Sequence, residues 1–338
     1  DLADPRYDGW LVLADPSRSA SAKTAFMAIV EWSMSEAWKA NELARKVHDG
    51  LKAHASQLPP RVWLVGKNPL AAAHLAMASA VYQTAMDPGW RRGMGLIRQI
   101  AANARVFSNN SAAVPGIVGS GDAAAGMAID FYGRTEVEFS GESRVGYVEP
   151  TGATIVNPDP IAMVRGARNR DLAVKFVEFV LSPAGQRLLA ARAGAPGGPR
   201  LTSLRRLPIV PSVFDDKADV LANFTERTNP FDVASGFNTK KERRETSDIL
   251  GELIQASCKD LLGEIRSARR AVSRAGRDDL DAQIGTFPFG QFDSGAVSGA
   301  LSRMRAYRAA KPLSRLEMMR AWENEFAAEY DDIKAKAR

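Results

Sequence analysis

The sequence predicts an α/β fold, and three stretches carry that prediction. In residues 101–133 (AANARVFSNNSAAVPGIVGSGDAAAGMAIDFYG) the end of a helix runs into a short strand, a polar turn, a helix and an apolar run of strand length. Residues 9–22 repeat the theme: GWLVLA reads as a short buried strand, DPSRSAS as a serine-rich turn, and a helix starts at about Ala22. Residues 161–186 add a short strand, an amphipathic helix and the Ser-Pro start of another helix. Short strands alternating with helices are the pattern of an open sheet with helices on its faces.

Taken in order, residues 33–86 read as a helical insertion. Trp32, Trp38, Leu43, Val47 and Leu51 fall at mostly helical spacing, Pro59-Pro60 breaks the pattern, and RVWLV at 61–65 reads as a short strand. An alanine-rich helix at 69–86, a turn at Asp87-Pro88-Gly89 and an amphipathic helix at 90–102 lead into the 101–133 stretch. Ser108-Asn109-Asn110-Ser111 can cap the following helix, because Ser and Asn side chains accept from free helical N–H groups. Gly119-Ser120-Gly121-Asp122 stops that helix. The apolar run 123–129 then ends in Asp130-Phe131-Tyr132-Gly133, which puts an acid and a phenol at a strand end, where open α/β sheets meet their ligands. On spacing alone, Tyr132 reads better as a packing aromatic with its hydroxyl at the surface. Residues 144–150 read as a strand, 151–160 as a crossing segment and 161–164 as a strand. Residues 171–181 are a helix, and Ser182 caps the next one with Pro183 at its first position. Beyond Pro211 the pattern is helical and charged. Residues 247–275 read as one long helix, 285–299 as a loop holding three phenylalanines, and 314–336 as a final helix capped by Ser314. No internal repeat is present.

Composition bounds the function. The chain has 338 residues, 45% hydrophobic and 25% charged, as in ordinary globular proteins. No apolar run reaches the roughly 18 residues that span a bilayer. The first residue is Asp1 and no basic-then-apolar leader follows, so a processed form or a fragment is expected. The single cysteine, Cys258, makes no internal disulfide and excludes thiolate metal clusters. His48, His54 and His74 read as surface residues and not as a metal site. The net charge of +6 is concentrated late, in residues 240–244 and 266–277. Acidic residues are interspersed there and no aromatic residue stands among the charges, so a solvated helix face is expected and no nucleic-acid partner. No P-loop, HExxH, GxSxG or Cys–His pairing is present, and no enzyme is expected.

Five stretches in order support a family. Residues 9–19 (GWLVLADPSRS) resemble the strand that opens the second lobe of periplasmic solute-binding proteins of the ferric-ion type. Residues 90–104 resemble their helix ending in an AAN pattern. Gly121-Asp122 followed by 128–132 (AIDFY) is similar to the strand that carries their ligand tyrosines. Residues 157–162 (NPDPIA) resemble the return crossing, and 181–186 (LSPAGQ) the helix that follows it. The resemblance covers roughly residues 1–210. It implies two α/β lobes with a mixed open sheet flanked by helices, and a ligand held between the lobes. Residues 1–155 would be the second lobe, with the insertion at about 33–86. Residues 156–212 would be the return into the first lobe, and 213–338 a helical C-terminal extension. Almost nothing precedes the GWLVLADPSRS strand, so the opening units of the first lobe are expected to lie outside this chain. Periplasmic or extracellular placement, with or without a membrane anchor, and delivery to the permease of an ABC-type importer are implied as well.

The resemblance also assigns residues. Ser19, Ala20 and Ser21 match the helix start that holds an anion through backbone N–H and hydroxyl groups, and Asn110 or Asn109 matches the amide that donates to the same anion. Tyr132 matches one of two metal-binding tyrosines, and Asp130 stands beside it as an alternative oxygen donor. The implied ligand is Fe(III) with a synergistic anion, or a small anion alone, for which Arg18 or Arg134 could assist. Phenolate and carboxylate oxygens are hard donors suited to Fe(III). Two other functions remain open at this point. One is a non-transport sensor or interaction module, which exposed Trp32, Trp38 or Phe287 would favour. The other is a hydrolase using Asp130, which would need a second acid or base.

Overall fold

A computed structural model describes residues 1–58, 68–150, 152–156, 159–215, 247, 250–294 and 297–338. The fold is mixed α/β, mostly helical, with one small parallel sheet. It divides into two compact units, Asp1–Met127 with Phe237–Arg338, and Ala128–Gly236. The strand read at 61–65 and most of the charged region at 216–246 lie outside the described residues.

In the first unit, β1 (Leu11–Ala14) is the middle strand, paired in parallel with β2 (Ala104–Ser108) on one side and β3 (Ala125–Gly126) on the other. All four β1 residues are buried, as expected of a parallel strand covered on both faces. Ala14 stands opposite Ser108, so the turns that follow β1 and β2 leave the sheet at the same edge. That edge carries the candidate site. β3 is shorter than the apolar run 123–129 suggests. A Cβ at Gly126 would stand 2.6 Å from Val114 Cγ1, in the helix α4 (Val114–Gly119), so a glycine permits the close approach and the pairing ends there.

The insertion is a set of long helices, α1 (Ala20–Ala40), α2 (Glu42–Gln57) and α3 (Pro69–Ala102). The turn expected at Asp87-Pro88-Gly89 does not form, and α3 runs through Pro88 unbroken. An interior proline costs a helix about 3 kcal/mol, and packing offsets it. Cβ atoms at Gly89 and Gly93 would stand 2.5 Å from Met34 Cα and 2.8 Å from Val30 Cα, so these glycines form a groove in which α1 lies. Trp90, Met94, Ile97 and Ala101 continue the buried face at helical spacing. Arg91 Nε donates to Asp87 Oδ2 at 2.8 Å and bridges the proline turn. Gly93→Ala is therefore expected to lower stability by about 1–3 kcal/mol through overpacking, more than the gain of about 1 kcal/mol in helix propensity; a fall in melting temperature checks it.

The C-terminal helices pack on this same unit. The helix expected at 247–275 is interrupted. Residues 250–254 are helical, Gln255–Lys259 form a π-helical turn, and α8 (Leu262–Ala275) starts anew. α9 (Asp278–Ile284), α10 (Ala300–Ala309) and α11 (Pro312–Lys336) follow. α11 starts at Pro312 with Lys311 as its N-cap and no side-chain cap bond, so Ser314 lies inside the helix instead of capping it. Phe287 and Phe289 from the 285–299 loop are buried against Phe326 of α11, with ring centroids 5.4 and 6.2 Å from it. Arg269 of α8, read as part of a solvated face, is buried. It donates to the carbonyls of Gln99 and Ala3, to Asn103 Oδ1 at 3.0 Å and to Asp281 Oδ1 at 3.1 Å.

The second unit contains α5 (Asp130–Ser140), α6 (Arg170–Leu181) and α7 (Pro183–Ala190). Its described residues form no strand. The strands expected at 144–150 and 161–164 are irregular, with Val148 and Val164 largely exposed, because neither meets a neighbouring strand among the described residues. The sheet is thus parallel throughout, and not mixed. The Ser182 cap with Pro183 at the first helical position forms as read, with Gly185 N donating to Ser182 Oγ at 3.2 Å.

Candidate functional site

The site is built where β1 and β2 end. Asp15 follows β1 and is fully buried. Its carboxylate accepts from Ser17 N at 2.9 Å and Ser17 Oγ at 2.6 Å, and forms an ion pair with Lys259 Nζ at 2.7 Å. Burial disfavours its charge, but the Lys259 ammonium and the two Ser17 donors outweigh that and hold the carboxyl below its ordinary range. Its backbone is pinned as well: Asp15 N donates to Ser108 O at 2.9 Å, and Asp15 O accepts from Arg18 N and Ser19 N. The turn before α1 is thus fixed at both ends.

Ser19 caps α1, its Oγ accepting from Ala22 N at 3.2 Å. The first two helical N–H groups, those of Ala20 and Ser21, have no acceptor among the described residues. Ser19 Oγ and Ser21 Oγ are 2.9 Å apart, and Ser21 Oγ donates to Ser111 Oγ at 3.4 Å. Asn110 is exposed and accepts from Ala112 N at 3.0 Å through Oδ1, and Ser108 Oγ donates to the Asn110 carbonyl. Three hydroxyls from two turns therefore converge at the positive end of a 21-residue helix. Asn109 is exposed beside them, and Arg18 is exposed too.

Asp130 and Tyr132 belong to the second unit. They stand in the first turn of α5 and not at a strand end, because an acid is favoured at a helix start and Gly133 seats the helix against the Tyr147 ring. Burial pushes the Asp130 carboxyl up, and Arg134 and Arg206 only partly oppose this. The Tyr132 ring stacks on Phe131 with centroids 4.2 Å apart and is 36% exposed. Arg134 is engaged with Glu149 at 2.6 Å. Among the described residues, no three His, Cys, Asp or Glu side chains cluster as metal ligands. Cys258 is buried, its thiol pushed up to about 11 by burial.

The family model for bacterial extracellular solute-binding proteins matches residues 1–194. The chain belongs to this family. It is also 31% identical over 117 residues to the phosphoglycerate transport regulatory protein PgtC of Salmonella typhimurium, and equally to that of Salmonella typhi. That alignment takes in 35% of this chain and 28% of each relative, so the chain spans well under half of the curated proteins it matches. No solved structure matches.

The description of that family, extracellular solute-binding proteins, is as far as the match reaches. No helix among the described residues is long and apolar enough to cross a membrane. Of the residues the sequence points to, the structure brings together Ser19, Ala20, Ser21 and Asn110 in one unit and places Asp130 and Tyr132 in the other. Sequence reasoning missed Ser111 as a site hydroxyl, although it directly follows the two asparagines. It also missed Lys259, which no local pattern ties to Asp15. The His54 and His74 rings meet edge to face at 4.6 Å, and Trp38 packs on His48 and Tyr82.

Proposed function

We propose that this solute-binding protein captures a small solute through a phosphate or carboxylate group held by Ser19, Ala20, Ser21, Ser111 and Asn110, and that it serves an ABC-type importer. The observation that carries the reading is the convergence of three hydroxyls on two free N–H groups at the start of α1. Free N–H groups, hydroxyls and the helix dipole all favour an anion there. No catalytic step is assigned to any residue. The name of the Salmonella relatives supports a phosphorylated organic acid as the solute. It also supports a second reading, a regulatory module that reports the ligand without delivering it, since those relatives are named as regulators of transport. Fe(III) bound through Tyr132 is a further ligand to be tested. Phe287, whose exposure would have favoured an interaction surface, is buried, and Trp32 and Trp38 are half-buried.

The test is a thermal melt with phosphoglycerate, inorganic phosphate, citrate and Fe(III)–citrate. A ligand at a hundred times its dissociation constant is expected to stabilise the protein by about 2.7 kcal/mol. Ser21→Ala should weaken anion binding about tenfold, the share of one hydrogen bond to a charged group, and Ser21→Asp should abolish it by repulsion. An equal shift in wild type and Ser21→Asp would overturn the assignment. A shift seen with iron alone and lost in Tyr132→Phe would favour the metal over the anion.

A further inference from the structure

The outer ridge of α8 carries a row of arginines. Arg266, Arg270 and Arg274 stand four residues apart and share one face, while Ile265, Ala268 and Val272 face the core. Like charges at this spacing repel unless an opposite charge meets them. Asp8 meets one of the three, with Arg270 Nε and Nη2 donating to its two oxygens at 2.7 and 3.0 Å. Arg274 donates through Nε to the Arg270 carbonyl at 3.2 Å, and its terminal nitrogens have no acceptor among the described residues. Arg266 has no acceptor there at all, and its Nε is shielded from solvent without a hydrogen-bond partner. Buried polar groups are nearly always bonded, so an orphaned guanidinium nitrogen calls for an explanation.

Two adjoining concavities, about 290 and 400 Å³ in volume, share Arg266, Arg270 and Arg274 as walls. Ser267 and Ser273 add hydroxyls to them, and among the described residues Asp8 is the sole acid in the walls of either. Arginines four residues apart project about 6 Å from one another along the helix. Long arginine stems anchored on either side of a bound diphosphate can converge on it, and planar guanidinium suits phosphate oxygens in pairs. Among the described residues no aromatic side chain lines either hollow, so none of them stacks a nucleic-acid base there.

We propose that this groove is a second anion site, separate from the serine cluster, and that it binds a small molecule bearing a diphosphate or a comparable pair of phosphate groups. Arg266 and Arg274, eight residues and about 12 Å apart along the helix axis, supply free guanidinium donors from the two ends of the row, and Asp8 fixes Arg270 between them. Such a site would let a phosphorylated effector act on the unit that carries the serine cluster without competing for it.

The experiment is calorimetric titration of inorganic pyrophosphate into the intact chain, with ionic strength matched by chloride so that simple screening is equal throughout. Saturable 1:1 binding is expected, weakened at least tenfold by Arg266→Gln and more by Arg274→Glu, and unchanged by Ser21→Asp. Arg274 is exposed, so its charge reversal is expected to leave the fold intact, which far-ultraviolet circular dichroism checks. Absence of saturable heat in the wild type would overturn the proposal. So would binding that survives Arg274→Glu, or that vanishes in Ser21→Asp while both arginine variants retain it. Retained pyrophosphate binding beside failed binding at the serine cluster would separate this site's standing from that of the first.

Discussion

Lys259→Met is expected to lower the unfolding free energy by about 3–5 kcal/mol near neutral pH, because it leaves a buried carboxylate without its counter-charge. Asp15 is fully buried, and Lys259 Nζ lies 2.7 Å from its Oδ2. The two Ser17 donors both fall on Oδ1 and cannot replace the ammonium. The sign with pH follows from the direction of the shift. In the wild type the folded pKa of Asp15 is lowered, so its contribution is present above the unfolded value of about 3.9 and is lost as pH falls through the lower folded value. In the variant, burial is opposed only by the two Ser17 donors, so that pKa rises from its wild-type position. The penalty is then present above the unfolded value and relieved as the acid protonates. The gap in melting temperature between wild type and variant should therefore narrow as pH is lowered from 7 towards 4. A gap that is constant with pH would mean that the lost packing of the lysine stem, and not the charge, is responsible. Asp15→Asn in the same background removes the orphan charge, keeps an oxygen for the Ser17 donors, and should recover most of the loss. Because Asp15 pins the turn before α1, the single variant should also weaken anion binding at the serine cluster, measured under conditions where it is still folded.

That coupling was invisible in the sequence, and the reason is general. Features set by neighbours along the chain were readable: the all-apolar β1, the serine-rich turn before α1, the cap at Ser182, the stop after Gly119. Features set by distant partners were not. Asp87-Pro88-Gly89 has the composition of a turn, yet the contacts of Gly89 and Gly93 with α1 make a continuous helix the better solution. The segments at 144–150 and 161–164 have strand composition, but composition cannot supply a paired neighbour. Asp130 and Tyr132 were placed at a strand end because the apolar run before them fits a strand; the pairing stops at Gly126 and the acid starts a helix instead.

The candidate site divides the same way. Ser19, Ala20, Ser21 and Asn110 lie in two local strand–turn–helix units, and it was the resemblance to solute-binding proteins, more than the turns by themselves, that singled them out. Ser111 needed the parallel register of β1 and β2, which sets both turns on one edge. The arginines at 266–277 were legible as charge but not as roles: Arg269 is a buried crosslink, Arg270 an ion pair, and Arg266 is unbonded. Only the rotation of α8 against the core distinguishes them.

The second large effect is expected in α3, where Arg98→Leu should cost about 3–5 kcal/mol. Arg98 is fully buried. It pairs with Glu329 at 3.0 Å, donates to Tyr330 Oη at 3.0 Å and reaches the Thr286 carbonyl at 3.3 Å. Tyr330 Oη in turn donates to the Ser257 carbonyl in the π-helical turn at 2.6 Å, so one side chain ties α3, α11, the 285–299 loop and that turn together. Removing it strands Glu329, which is only 17% exposed, and deprives the phenol of a donor. Packing loss and charge loss separate in the double variant Arg98→Leu with Glu329→Leu, because replacing both members of a buried pair is often close to neutral. If the charge dominates, the double variant should melt well above the single one. If the two melt together, the polar bonds to Tyr330 and Thr286 carry the stability. The next residue along from Ser257 and Cys258 is Lys259, so loosening this network loosens the partner of Asp15. Arg98→Leu should then lower anion affinity at a serine cluster that it does not touch, whereas Gly93→Ala, which disturbs α3 only on its α1 side, should leave that affinity less changed for the same loss in melting temperature.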